Sequence, residues 1–230
     1  MFLNKSFIII HHVIFFYGCW LLNWWYIPFV FISGFIFVRI ITEEILHKGI
    51  SHNLYKKNKI LDWVWAWSAV LLGQGSSLGW ANIHRQHHAY SDTIRDPQSV
   101  FHQPFWKVYT GIFYTNKKNP LMVKDLMRCK SHVFTHKYYN TLHIITCITL
   151  FIINPLILLV FISPGIVYSF HSLGLINTLS HLYGNKVKNT QGKNLWWVSY
   201  LVCFNQEQHA DHHKYPTSSR NIIFKRMLNE

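Results

Sequence analysis

Three tight histidine groups dominate the chemistry of this sequence. They are His47-Lys48-Gly49-Ile50-Ser51-His52, His84-Arg85-Gln86-His87-His88 and His209-Ala210-Asp211-His212-His213, and a single His181 closes the run that starts at Asn177. Imidazole suits zinc, copper, iron and nickel. One zinc ion takes three or four protein ligands, so nine clustered histidines are too many for one ion and natural for two. In a helix, H-x-x-H-H puts all three rings on one face, because i, i+3 and i+4 are neighbours. Two such helices can present three imidazoles each to a shared space. Asn177 and His181 stand i, i+4 in the same way. His47 and His52 are five apart, about 140° around an α-helix, which predicts a helix end there rather than a continuous helix. Neutral ligands leave metal charge uncompensated, so carboxylates are expected to orient the rings from behind. Asp92, Asp96, Glu207 and Asp211 are placed for that task.

The elements that position these groups are read from hydropathy. Of the 230 residues, 50% are apolar and only 13% charged, about half the charged share usual in soluble domains. Apolar runs at about 6–23, 26–41, 142–163 and 166–182 approach the ~17–25 residues that cross a ~30 Å hydrocarbon core as a helix. An aromatic turn from Asn23 to Pro28 joins the first pair, and Ser163-Pro164-Gly165 predicts a break between the second pair. The run Ile60–Leu72 is too short to span and contains Asp62; it reads as an interfacial or buried helix. The expected fold is all-α and integral to the membrane, one domain over 1–230. Four transmembrane helices form two hairpins, and a helical cap over 45–141 and 183–230 carries the histidines. Every Lys and Arg except Arg39 lies in the cap or before residue 6, the asymmetry that puts the cap and both termini on the cytosolic side.

Composition also excludes. The excess of 22 Lys+Arg over 9 Asp+Glu flanks apolar segments and forms no soluble basic face, so no nucleic-acid partner is expected. The cysteines Cys19, Cys129, Cys147 and Cys203 lack paired spacing and read as reduced and structural. His11, His12 and His171 fall within spans as packing or hydrogen-bonding residues, and Cys129, His132 and His136 read as a solvated helix face.

With these motifs on the page, the chain resembles the membrane fatty-acid desaturases, especially the Δ9 stearoyl-type branch and its bacterial relatives. The resemblance covers about Ile41 to Tyr215 and rests on the three histidine boxes, on Ser91-Asp92-Thr93 with Asp96-Pro97, and on Asn177-x3-His181-Leu182-Tyr183-Gly184. It implies an O2-dependent acyl desaturase with two iron ions and O2 as co-substrate, zinc being a possible replacement in recombinant material. The implied ligands are His47, His52, His84, His87, His88, His181, His209, His212 and His213, with Asn177 acting through a water and no catalytic residue beyond the ligand set. Gln74 and Trp80 match a family pair that shapes a bent acyl tunnel, and Trp63, Trp65 and Trp67 are further candidates for its walls. The chain departs from the acyl-CoA enzymes at Asn82-Ile83, where they carry Arg-Asp. The fatty acyl substrate is therefore left open as lipid-linked, CoA or ACP. Asn205-Gln206-Glu207-Gln208 likewise replaces the family's Gly-Glu-Gly-x. No haem or G-x-G-x-x-G motif is present, so a separate electron donor such as cytochrome b5 or ferredoxin is expected, with membrane lipids around the chain.

Two other readings share these residues. A membrane di-iron hydroxylase acting on an alkane, sterol or lipid would use a similar cluster. A non-catalytic metal-binding membrane protein would line its spans with polar groups, where this chain offers little beyond His171 and Asn177.

Overall fold

A computed structural model describes residues 5–56, 58–111, 119–218, 223–224 and 227. In chain order its helices are α1 (Lys5–Leu22), α2 (Tyr26–Gly34), which runs on as a π-helical segment Phe35–Ser51, and α3 (Lys59–Leu72). They continue as α4 (Ser77–Tyr90), α5 (Phe105–Thr110), α6 (Lys124–Met127), α7 (Lys130–Lys137) and α8 (Tyr139–Ile153). After these come α9 (Pro155–Leu182) and α10 (His209–Lys214). The expected all-α class needs one small amendment: β1 (Asn185–Lys186) pairs antiparallel with β2 (Lys193–Asn194).

The first hairpin turns where the aromatic run predicts, through a 3-10 turn Asn23–Trp25 with Asn23 at φ 52°. Trp24 and Trp25 point outward, while Tyr26 is buried and donates its hydroxyl to Leu159 O at 2.5 Å. Gly18 makes room for that ring: a Cβ there would lie 2.5 Å from Tyr26 Cζ. The helix after the turn does not end near residue 41 but carries through to Ser51.

The second hairpin corrects the sequence reading. No break occurs at Ser163-Pro164-Gly165; α9 runs 28 residues without interruption, and the chain turns at Asn154. Asn154 is extended (φ −164°, ψ 115°), its side chain accepts from Leu156 N at 2.9 Å, and Pro155 follows at a position whose missing N–H is not needed. The apolar runs expected at 142–163 and 166–182 are therefore divided differently, between the helices Tyr139–Ile153 and Pro155–Leu182. Pro164 is tolerated because the wider π turn Leu158–Ile162 just before it absorbs the lost bond. Gly165 serves packing instead of turning, since the Phe37 ring occupies the space a side chain would take.

Among the described residues, α9 is the one helix long and apolar enough to cross a bilayer, with a mean hydropathy of 1.9; α8 is apolar but shorter. The outer surfaces of α1, α2 and α8 are apolar as well. Phe16, Trp20, Phe31, Ile32, Phe151 and Ile152 are each more than half exposed, far more than a water-facing monomer usually shows. The α3 helix is half-buried, as its length suggests: Trp65, Ala69 and Leu72 pack inward while Ile60 and Val64 face out.

Candidate metal centre

Each histidine box sits where a helix begins or ends against the cap. Asn58 and Ser76 cap α3 and α4 by accepting from Leu61 N and Gly79 N, at 3.0 and 3.2 Å. Ser76 and Ser77 are in turn held by His136 and His132 of α7, at 2.6 and 2.8 Å. Those two histidines, read from sequence as a solvated face, thus anchor the start of α4; His132 is fully buried.

The π winding settles the spacing of the first box. With i→i+5 bonding, residues five apart return to one side. His52 N donates to His47 O at 3.1 Å, and the two ring centroids lie 5.0 Å apart. The expected helix end lies at His52, but the helix leading to it is continuous and differently wound.

The ring nitrogens converge in two adjoining groups, His47, His52, His84, His88 and His212 in one, His87, His181, His209 and His213 in the other. Within each, the donor atoms all lie within 4.8 Å of one another. Each H-x-x-H-H box divides. Its i, i+4 pair enters one group and the middle histidine enters the other, so α4 gives His84 and His88 against His87 while α10 gives His209 and His213 against His212. His88 and His213 stack across the divide, centroids 4.4 Å apart and planes within 14°. Nε2 contacts run at 2.7 Å (His47–His212), 2.8 Å (His181–His209), 2.9 Å (His52–His84), 3.0 Å (His88–His212) and 3.2 Å (His87–His213).

Carboxylates stand behind three rings. Asp96 Oδ2 accepts from His87 Nδ1 at 2.9 Å, and Asp92 Oδ1 lies 2.9 Å from His181 Nδ1. Asp92 adopts φ 60° directly after α4, and its N–H donates to Asp96 Oδ2, so one tight turn aims both carboxylates back at the site. Burial alone would raise the Asp92 carboxyl; the His181 imidazole beside it holds it below the ordinary range. The third carboxylate, Glu43 on His47 Nδ1 at 2.6 Å, was missed from sequence although Glu43-x3-His47 is an i, i+4 pair. Asp211 does a different job from the one expected. It accepts from Asn194 Nδ2 at 3.1 Å, and Asn194 Oδ1 accepts from Ala210 N, so together they fix the start of α10 to β2. Glu207 is buried and backs none of the rings; burial pushes its carboxyl up, against the opposing pull of Lys48 and the Ser218 hydroxyl.

Arg85, inside the second box, was also passed over. Its guanidinium donates to Ser51 O and Ile50 O at the end of the π segment, to Met122 O, and in fork geometry to Asp125 at 2.6 and 2.9 Å. It satisfies helix-end carbonyls that have no partner of their own and ties the first box to the second.

These residues fit a metal centre. A carboxylate can only accept, so His47 and His87 carry their protons on Nδ1 and aim bare Nε2 lone pairs inward. Burial holds His52, His84, His88, His209, His212 and His213 well below the ordinary histidine value, in the neutral form that ligates.

A narrow cavity opens beside the centre, lined by Gln74, Trp80, Asn177 and the ligand-side faces of His47, His84 and His209. Trp80 stacks on His84, centroids 5.1 Å apart. Gln74, Trp80, Leu173 and Asn177 also line the next cavity, which continues past Tyr109, Phe170 and Gly174. Trp65 lies in the core instead, and Trp63 and Trp67 are exposed.

Comparison with known proteins agrees with this arrangement. The family model described as fatty acid desaturase matches residues 22–222. Delta-9 acyl-lipid desaturase 1 of Arabidopsis thaliana is 29% identical over 183 residues, which is 76% of this chain and 59% of that protein. Delta-9 desaturase-like 2 protein of the same plant is 32% identical, over 76% of this chain and 61% of its own length. The sn-2 palmitoyl-lipid 9-desaturase of Nostoc sp. (strain 36) is 27% identical over 96% of this chain and 81% of its length. The chain spans about three fifths of the length of the Arabidopsis relatives. The match over most of its residues places it plainly: this chain belongs to the fatty acid desaturase family.

Proposed function

We propose that the chain is an O2-dependent fatty acyl desaturase that inserts a double bond into an acyl chain at a histidine-held di-iron centre. The observation that carries this reading is the convergence of nine imidazole nitrogens in two adjoining groups at the mouth of a narrow cavity. His47, His52, His84, His88 and His212 would hold one iron, and His87, His181, His209 and His213 the other, with Asn177 contributing through a water. When bound, the irons supply the oxygen chemistry that removes hydrogen from unactivated methylenes, which side-chain acid–base groups cannot do.

The chain's own residues then have three tasks. Glu43, Asp92 and Asp96 hold rings in orientation and return negative charge to a site of neutral ligands. Trp80, packed flat on His84, and Gln74, bonded to Ile166 O at 3.3 Å, fix the cavity wall against which acyl methylenes lie. Placement matters because a misfit of about 1 Å can cost about 10²-fold in rate. The apolar stretch past Phe170 and Leu173 receives the chain end and excludes water.

We read the outward apolar faces of α1, α2 and α8, together with α9, as a four-helix membrane anchor, with the cap, both termini and the metal centre on the cytosolic side. The names of the relatives favour a lipid-linked acyl substrate over a CoA ester, and electrons come from a separate carrier protein. The test is expression in a host that supplies redox partners, with fatty-acid profiling by mass spectrometry. A new unsaturated species is expected. A hydroxylated chain with no new double bond would instead favour the hydroxylase reading.

A further inference from the structure

Away from the nine-histidine centre, α1 and α8 gather a second set of metal-binding side chains. His11 Nε2 lies 3.3 Å from His143 Nε2, and Cys147 Sγ lies 3.7 Å from the same nitrogen. All three donor atoms are within 4.8 Å of one another. His143 and Cys147 are i, i+4 on α8 and so share a face. Both histidines are buried, at 3% and 2% exposure, and Phe7 packs on His143 with centroids 4.4 Å apart.

The outer nitrogens of the two rings are spoken for. His143 Nδ1 donates to Val70 O at 2.8 Å, and His11 Nδ1 meets Ser163 Oγ at 2.9 Å. A carbonyl only accepts, so His143 holds its proton on Nδ1 and turns a bare Nε2 lone pair toward His11 and Cys147. That is the orientation a ligating imidazole is given by its outer partner.

We propose that His11, His143 and Cys147 form a binding site for a soft monovalent metal ion, copper(I). Metal–nitrogen bonds of about 2.0–2.1 Å and metal–sulfur bonds of about 2.3 Å put the ligands of a three-coordinate ion about 3.5–3.8 Å apart, close to the spacings of 3.3 and 3.7 Å found here. Thiolate with imidazole selects copper(I), and structural zinc would need a fourth ligand. Charge points the same way. One thiolate, two neutral imidazoles and a monovalent ion sum to zero, so the apolar surroundings hold no net charge, whereas a divalent ion would leave one unit uncompensated. Binding releases the Cys147 thiol proton to solvent as the copper–sulfur bond forms, and no redox change is involved.

The same atoms can also close as a hydrogen-bonded chain without metal: Ser163 hydroxyl to His11 Nδ1, His11 Nε2–H to His143 Nε2, and His143 Nδ1–H to Val70 O. The two arrangements differ in what they ask of Cys147. The test takes the full chain in detergent, loads the main centre with iron, and titrates copper(I) anaerobically against a chromogenic copper(I) chelator. Copper-edge X-ray absorption follows.

One copper(I) equivalent beyond the iron is expected, bound by one sulfur and two nitrogens. The sulfur signature separates this site from the main centre, which has no thiol among its ligands, so the result does not depend on turnover. Loss of a partner that merely orients a ligand costs about 10–100-fold in affinity, and Ser163→Ala should fall in that range. Cys147→Ser should weaken copper(I) by more than about 100-fold, with helicity and iron content unchanged. Absence of an extra equivalent, copper held without sulfur, or equal affinity in Cys147→Ser would overturn the proposal. Cys147→Ser exchanges a single atom, so the question remains answerable even if His11→Ala or His143→Ala fails to fold.

Discussion

The two histidine clusters differ in what stands behind their rings. At the nine-histidine centre, Glu43, Asp92 and Asp96 back His47, His181 and His87, all within 2.9 Å. Between α1 and α8, a hydroxyl and a backbone carbonyl back His11 and His143. On the proposed reading, nine neutral ligands around two divalent ions would need negative charge from outside the ligand set, and these carboxylates would deliver it. A site with its own thiolate needs none. The location of the negative charge is thus what would separate the proposed oxygen-activating centre from the proposed soft-ion site.

That contrast can be broken most severely in the cap. His212 belongs to one group but neighbours His213 of the other, so His212→Ala should remove desaturation by more than about 100-fold and lower bound metal, measured by product yield and elemental analysis. Retained activity would detach the ligand set from function. Glu43→Gln and Asp96→Asn keep every ring but remove the backing charge; a loss of about 10–100-fold in metal affinity or activity is expected, with helicity intact. If these variants behave as wild type, the carboxylates only pack.

Acid sharpens the comparison through linkage. The cap histidines His52, His84, His88, His209, His212 and His213 have folded-state values below their unfolded value of about 6.5. Below that pH the unfolded chain binds more protons than the folded one. Stability of the metal-free protein is therefore full above pH ~6.5 and falls as the pH drops below it. Thermal melts across pH 5 to 8, followed by circular dichroism, should show the midpoint fall on the acid side, and a flat profile would contradict the buried neutral rings. The smallest effect belongs to a helix-packing contact that supplies no ligand. Gly165→Ala overfills the contact with Phe37 and should cost about 1–3 kcal/mol in stability, read from the melting midpoint, with the product spectrum unchanged.

The site was far more legible than its supports. Histidine type and i, i+3, i+4 spacing bring out the two H-x-x-H-H boxes directly, because helix geometry alone puts such residues on one face. The division of each box between two groups was not readable, since it depends on how α4 and α10 cross. Glu43 was within reach of the same spacing argument and was lost because it falls between the run ending near residue 41 and the cap beginning at 45. Arg85 was hidden differently: its partners Ser51 O, Ile50 O and Met122 O are backbone atoms, which carry no sequence signal. In the fold, Ser163-Pro164-Gly165 reads as the helix break, whereas the chain turns at Asn154-Pro155, passed over inside the run 142–163. A π turn, Leu158–Ile162, precedes Pro164, and no residue type in it marks that winding in the sequence. The same π winding brings His47 and His52 together against the α-helical expectation.

The most direct test of the central claim is the metal content of the full chain after reconstitution with ferrous iron and removal of loosely bound ions. Two irons per chain, in a nitrogen-dominated environment by X-ray absorption, is the predicted result. A single iron per chain, or iron retained undiminished when His87 and His212 are both replaced by alanine, would contradict it.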